Sequence, residues 1–358
     1  MRNVVLALMS LGLPGLVCAQ MTHVVVLDSG EITALREVTA HNNRAQALYD
    51  SVATLARRQI NDEPRPLAKL HYEGMLPTHP DRIDTRKSLE DMDKVIRFIY
   101  ASYGSDDTLW VEPVKRFVTA WATTYRPDGN PINENKLMAL FWGYYLFRSH
   151  FSDEERALVT RWMNTIAEAE KQRKHTPNNN WQAKRYKIIG LVGCVIEDDS
   201  LKNFALRGFK EYINTAYFAD GTSNDLVERD ALSYHLGGLK PLLSAFVNLS
   251  AFDPAFDLYD YVSPTGSSVK KSVAYVVPYA RGERTREEWV NTTVALDKER
   301  AAAGLVEYQP GILFDPEKAV SLFEWASYYN PDWYDIIGPR GFTASWVGLL
   351  NSPLVRKQ

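Results

Sequence analysis

The sequence predicts an all-α fold, a single incomplete (α/α) toroid of helix pairs with a cleft at the ends of the inner helices. Three observations predict it. Apolar residues recur near a spacing of 3.6 in segment after segment, as amphipathic helices require. Helices of similar length are joined by alternately short and longer connections, as in paired helices set in a ring. Strand signals are few, and no Gly/Ser-rich linker divides the chain. The 358 residues, 45% hydrophobic, suffice for one large core or two smaller ones. Without a linker, one domain over 20–358 is expected.

Residues 1–19 read as an export signal: Arg2, an apolar run from Val4 to Leu16, then the small-residue site Val17-Cys18-Ala19. The run is too short to span a bilayer and is interrupted by Pro14. The mature protein is thus expected in the periplasm or outside the cell, without a membrane anchor. His23 to Ser29 forms an extended lead-in, and Glu31 to Ile60 a helix with Leu35, Val38, Ala45, Leu48, Val52 and Leu55 on its apolar stripe. Pro64, Pro66, Gly74, Pro77 and Pro80 make 61–86 a loop. A loop that long, with aromatic and His content, reads as functional. Helices follow at 87–103, 109–125 and 133–150, and Ser152-Asp153-Glu154-Glu155 caps the next. Helices at 181–197, 200–217, 225–236 and 239–250 complete the central block. Residues 267–281 and 316–329 are helical, and 283–311 is ambiguous.

The net charge of −3 gives no overall pull toward nucleic acid, so an acidic ligand must be met by a local cluster of cations and amides. Once Cys18 leaves with the signal, Cys194 stands alone in an apolar helix and reads as a small buried hydrophobe. The seven His residues form no His-x-x-x-His pair, so no metal is called for. No Gly-x-Ser-x-Gly elbow and no phosphate loop is present. Asn248 and Asn291 begin glycosylation acceptors.

Two polar knots remain: Asn178-Asn179-Asn180-Trp181, and Asp220 through Tyr234-His235. Four stretches together resemble the α/α-toroid alginate lyases, polysaccharide lyase family 5 and relatives such as the glucuronan lyases of family 38. They are Lys69-Leu70-His71-Tyr72-Glu73-Gly74, Asp128 to Leu137, the Asn run, and Asp220 to His235. The first resembles a lid loop, the second a turn into an inner helix, the third an Asn-Asn-His segment, the fourth the segment ending in the catalytic Tyr. The resemblance spans about 65–240 and departs at Asn180, where the family has His. It leaves His71 or His235 to supply that imidazole.

The resemblance implies β-elimination on a β-1,4-linked uronate polymer, alginate or glucuronan, with no cofactor. Tyr234 is base and acid, Asn180 with Asn179 neutralises the carboxylate, and Arg229 and His235 support. Lys69, His71, Tyr72, Trp181, Trp142 and Lys184 are expected to bind substrate. The expected partner is an acidic polysaccharide, met by a monomer. The chemistry needs these types: amides and a guanidinium neutralise a carboxylate without titrating, and a phenol becomes a base beside positive charge. In one continuous helix Arg229 and Tyr234 would face apart, so Arg229 can serve only if the helix starts after it or if it reaches the substrate from another side. On residue type alone the Asn run is also a loop and helix cap, and Tyr234-His235 and Trp142 also suit a core. A non-catalytic polyuronate-binding toroid, and a toroid hydrolase using two of Asp220, Asp225, Glu228 and Asp230, stay open.

Overall fold

A computed structural model describes residues 23–105, 108–337 and 345–356, so the export signal expected at 1–19 lies outside the described residues. Fifteen α-helices carry the described fold: α1 Ser29–His41, α2 Asn43–Gln59, α3 Pro80–Tyr103, α4 Val111–Thr124, α5 Pro131–Glu134, α6 Met138–Phe147, α7 Asp153–Gln172, α8 Asn180–Val195, α9 Asp199–Ala216, α10 Asn224–Arg229, α11 Leu232–Leu249, α12 Val269–Ala280, α13 Ala295–Ala302, α14 Glu317–Ala326 and α15 Trp346–Leu350. One small antiparallel ribbon pairs β1 (Glu287–Glu288) with β2 (Ile312–Leu313).

Capping explains where sequence expectation and structure differ. The single helix expected over 31–60 is two, because Asn42 is extended and its side chain accepts from the N–H groups of Arg44 and Ala45. An N-cap of that kind starts a new helix. The loop expected to reach residue 86 ends at His79. Pro80 takes the first helical position of α3, where its missing N–H costs nothing. Ser152 and Glu155 form the expected capping box on α7. The break expected near Gly237 falls instead at Asp230, and α11 runs on through Gly237, Gly238 and Pro241.

Helices α3, α6, α8, α11 and α14 pack in succession as an inner ring, and α2, α4, α7, α9 and α12 back them from outside. The toroid expectation therefore holds. Enclosure by α7, α9 and α11 is why α8 is apolar on every side from Ile188 to Val195. Cys194 lies in this stretch, buried and free, its thiol pushed up to about 12 by desolvation.

The starts of the inner helices share one rim. His71 donates its N–H to Thr85 early in α3, Tyr72 lies against Lys136 just before α6, and Asn180 opening α8 binds Asp225 of α10. The positive ends of these helix dipoles at that rim favour anions. The lead-in closes the opposite end. Val26 N–H donates to Asn248 Oδ1 at 3.0 Å, Asn248 Nδ2 to Val24 O at 2.9 Å, and Tyr103 Oη to Val25 O at 3.0 Å. Asn248 is buried and spent there, which removes it as a glycosylation acceptor in the folded chain.

Candidate active site

The site is organised around the break between α10 and α11. Ser223 caps α10 by accepting from Leu226 N–H, and seven residues later Asp230 turns left-handed at φ 50°. Few residues adopt this conformation; Asp is among those that can. The turned Asp230 becomes an anchor. Its carboxylate accepts from Arg286 Nη2 at 2.6 Å and Asn291 N at 2.9 Å, and its carbonyl from Trp289 N at 2.8 Å. Glu288, fully buried, accepts from Ser233 N–H at 2.8 Å in the first turn of α11. These bonds clip β1 and Trp289 beside Tyr234.

Tyr234 opens α11, half-buried, with cations on two sides. The Arg229 guanidinium lies 3.8 Å from its ring centroid. Arg300 Nη1, from α13, donates to its Oη at 2.8 Å. Trp289 meets the ring edge-on at 5.6 Å. Buried Asp297 pairs with Arg229 and lies 3.7 Å from Arg300, fixing both. Desolvation pulls the Arg300 guanidinium down, but Tyr234, Tyr308 and Asp297 outweigh it and hold the group above its ordinary value. Burial, then Tyr234, pushes the Tyr308 phenol up, so it stays neutral.

A second cluster adjoins the first. Asp225 Oδ2 accepts from Asn180 N–H at 2.8 Å, and its Oδ1 from Asn180 Nδ2 at 3.2 Å. Asn180 Oδ1 accepts from Lys184 Nζ at 2.5 Å, one helical turn on. Burial raises the Asp225 carboxyl to about 6, against the pull of Asn180, Arg229 and Lys184. Burial, then Lys136, lowers Lys184 to about 7. Asp225 thus feels both Lys184 and Arg229 and couples the two clusters.

The loop at 69–74 closes over this rim. Asn133 Oδ1 accepts the N–H groups of Tyr72 and Glu73, each at 3.1 Å, and its Nδ2 donates to Leu70 O. Lys136 lies 4.5 Å and Arg82 4.8 Å from the Tyr72 ring centroid. Burial would raise the Tyr72 phenol, yet Lys136, Arg82 and Arg86 bring it below its ordinary value.

Of the sequence-predicted residues, the structure brings Tyr234, Arg229, Asn180, Lys184 and Tyr72 to this rim. The break at Asp230 meets the condition set for Arg229. Others need correction. His235 is fully buried; its Nδ1 meets Ser223 Oγ at 2.7 Å and its Nε2 meets Ser272 O at 3.1 Å. Desolvation lowers it to about 4, so it is a neutral core group. Asn179 spends its Oδ1 capping α8 through Trp181 N–H. Trp142 is buried, tilted against Phe252 at 5.9 Å. Lys69 is exposed, with no side-chain bond among the described residues. His71 is half-buried and, among the described residues, tied only through its backbone to Thr85. Trp181 is half-buried with the Arg173 guanidinium 5.0 Å from its ring, so Arg173 already covers that ring.

The four carboxylates offered for hydrolysis are no opposed pair. Asp225 and Asp230 are bonded as above, Asp220 closes a turn with Thr222, and Glu228 is exposed. Sequence reasoning missed Trp289, Asp297, Arg300 and Tyr308. All lie in the ambiguous 283–311, and no local pattern there marked them.

The profile of the alginate lyase family matches residues 36–286. No curated protein matches the chain. Among solved structures, an alginate lyase from Bacteroides ovatus superposes with a TM-score of 0.66 at 15% identity, covering 92% of this chain and 100% of that one. Alginate lyase A1-III from Sphingomonas species A1 gives 0.52 at 16%, covering 83% and 97%. A single-residue variant of A1-III complexed with a tetrasaccharide gives 0.54 at 18%, covering 83% and 96%. At such identities the superpositions speak for the fold, which is the all-α toroid. With the profile match over most of its length, the chain belongs to the alginate lyase family of polysaccharide lyases.

Proposed function

We propose that this lyase cleaves a β-1,4-linked uronate polymer, polymannuronate or glucuronan, by β-elimination at Tyr234. The observation that carries the reading is a phenol held between two guanidinium groups at an anion-favouring rim. Tyr234 as phenolate takes the C5 proton. The electron pair forms the C4–C5 double bond as the C4–O4 bond breaks. The phenol then returns its proton to O4 of the leaving sugar, which regenerates the phenolate. Arg229 and Arg300 supply fixed positive charge where negative charge sits on Oη. The step as written draws on no cofactor.

In β-D-mannuronate and β-D-glucuronate the C5 hydrogen and O4 lie on the same face of the ring, so one phenol can serve both. The two sugars differ at C2, away from the step, so pocket shape selects between them. Lys136 and Arg82 around Tyr72 fit an acidic chain passing under the loop. Residues 1–19, read as an export signal, would carry a monomeric single-domain enzyme to the periplasm or beyond, where such polymers occur. Incubation with polymannuronate and with glucuronan tests the proposal. An ultraviolet-absorbing unsaturated end is expected from one or both. Saturated hydrolysis products, or binding without cleavage, would overturn it.

A further inference from the structure

Four lysines on three elements lie near enough to feel one another or His23: Lys136 before α6, Lys184 and Lys187 on α8, and Lys240 on α11. Each lowers, or is lowered by, its neighbours. Desolvation brings His23 well below its ordinary value, with Lys187, Lys240 and Lys136 adding to it; the same happens at Lys184 through Lys136, Lys187 and Lys240. None has a carboxylate within ion-pair distance among the described residues. Lys184 binds the Asn180 amide oxygen, Lys240 binds Ser321 Oγ at 2.9 Å, and Lys136 lies on the Tyr72 ring. Lys187, 6% exposed, has no partner at all among the described residues. Unpaired buried cations are costly. Cations gathered in this way favour an anion beside them.

Asn180 is badly placed for the carboxylate-neutralising role expected of it. Its backbone N–H and one amide hydrogen are bound by Asp225, and its amide oxygen by Lys184. Lys184 Nζ keeps two further hydrogens to donate. Depth decides where an anion can sit. Around Lys187, His23, Asn135 and Ser244 the cavity is about 10 Å³, room for about one water and no sugar. That leaves the start of α8 at Lys184, which feels Lys136 beside the Tyr72 ring.

We propose that the carboxylate of the reacting uronate is seated on Lys184, with Lys136 beside it, and that Asn180 and Asp225 act as positioning residues that aim Lys184. The inference rests on the uronate reading above and supplies the cation that the departure at Asn180 leaves missing. Lys187 and Lys240 stay below, adding to the field without touching the sugar.

Binding to the Tyr234→Phe protein, measured by calorimetry with a mannuronate tetramer and a glucuronate tetramer, tests this without turnover. Adding Lys184→Gln is expected to weaken binding at least tenfold, whereas Lys184→Arg restores most of it. Lys184 titrates near 7, so parent affinity is full below about pH 7 and falls above it, approaching about tenfold per unit for one linked proton. Lys184→Arg removes that first decline. The other groups facing the ammonium differ in range. Asp225 titrates near 6 and Lys187 near 8, while His23 is lowered well below 6.5 and stays neutral. Lys240 is lowered by burial, buried Glu324 facing it is raised, Tyr72 faces Lys136, and Arg229 acts through Asp225. Lys136→Gln gives a second arm, with several-fold weakening expected. Unchanged affinity and an unchanged pH profile in Lys184→Gln would overturn the proposal. Melting temperatures identify a misfolded variant, in which case the Lys184→Arg profile and the Lys136→Gln arm decide. Failure of the lyase reading shows separately, as absence of unsaturated product from the unmutated enzyme.

Discussion

The Arg229 guanidinium stacks 3.8 Å from the Tyr234 ring centroid although the two residues are five apart in sequence. A straight helix would point them different ways. The left-handed Asp230 ends α10 at Arg229 and lets α11 restart, folding Arg229 back over the phenol. Asp297 then locks the guanidinium from the other side.

Removing Arg229 should therefore strike chemistry before binding. Arg229→Ala is expected to lower kcat by about 10²–10³-fold, the range for losing one preorganised electrostatic donor. It also strips a partner from buried Asp297, for about 2 kcal/mol of stability. Arg229→Lys keeps the charge but not the planar stack, and should retain more activity than Arg229→Ala. Steady-state kinetics with thermal melts separate the two effects.

Asp230 is expected to tolerate Asn better than Ala. Asn keeps a side-chain acceptor for the Asn291 N–H and accepts a left-handed backbone. Ala loses the anchors to Arg286 and Asn291 and pays about 1–2 kcal/mol for φ 50°. Asp230→Ala should melt earlier and lose activity together, as segment 286–291 comes away from Tyr234.

His235 gives a pH prediction. Its pKa is about 4 in the fold and about 6.5 when exposed. The unfolded chain thus binds the proton first as pH falls. The contribution is fully present above about pH 6.5 and is lost down to about pH 4, roughly 3 kcal/mol in all. Asp225, raised to about 6, works the opposite way in the same window, since its folded form prefers the proton. The difference between the unmutated chain and His235→Gln isolates the histidine. Chemical denaturation between pH 4 and pH 7 should show a flatter acid limb in His235→Gln.

Asn133 should control the loop at 69–74. One side chain satisfies three backbone groups there, from Leu70, Tyr72 and Glu73. Asn133→Ala leaves them open and should speed proteolysis within 69–79 and raise KM several-fold. Limited proteolysis with and without oligouronate checks both.

The sequence carried the helical frame because apolar periodicity reports burial directly, and it carried the rim because Asn180, Arg229 and Tyr234 lie near helix ends that caps make visible. Boundaries failed where one residue has two readings. Asn42 interrupts a continuous apolar stripe by capping, and Pro80 begins a helix rather than ending a loop. His235 was misassigned because its neighbour faces the cleft while it faces the core, a difference of one helical position. Arg300 and Asp297 reach Tyr234 from more than sixty residues away. Only long-range packing brings them there, and no local pattern encodes it.

The most direct test of the central claim is the rate of unsaturated product formation by Tyr234→Phe, set against the unmutated enzyme on the better of the two polymers. Phe keeps the ring under Arg229 and against Trp289 and removes only the hydroxyl that Arg300 holds. With melting temperature and oligouronate affinity close to the parent's, the account predicts a fall in kcat of at least about 10²–10⁴-fold, the range for losing a positioned acid–base group. A rate within about tenfold of the parent's would contradict it.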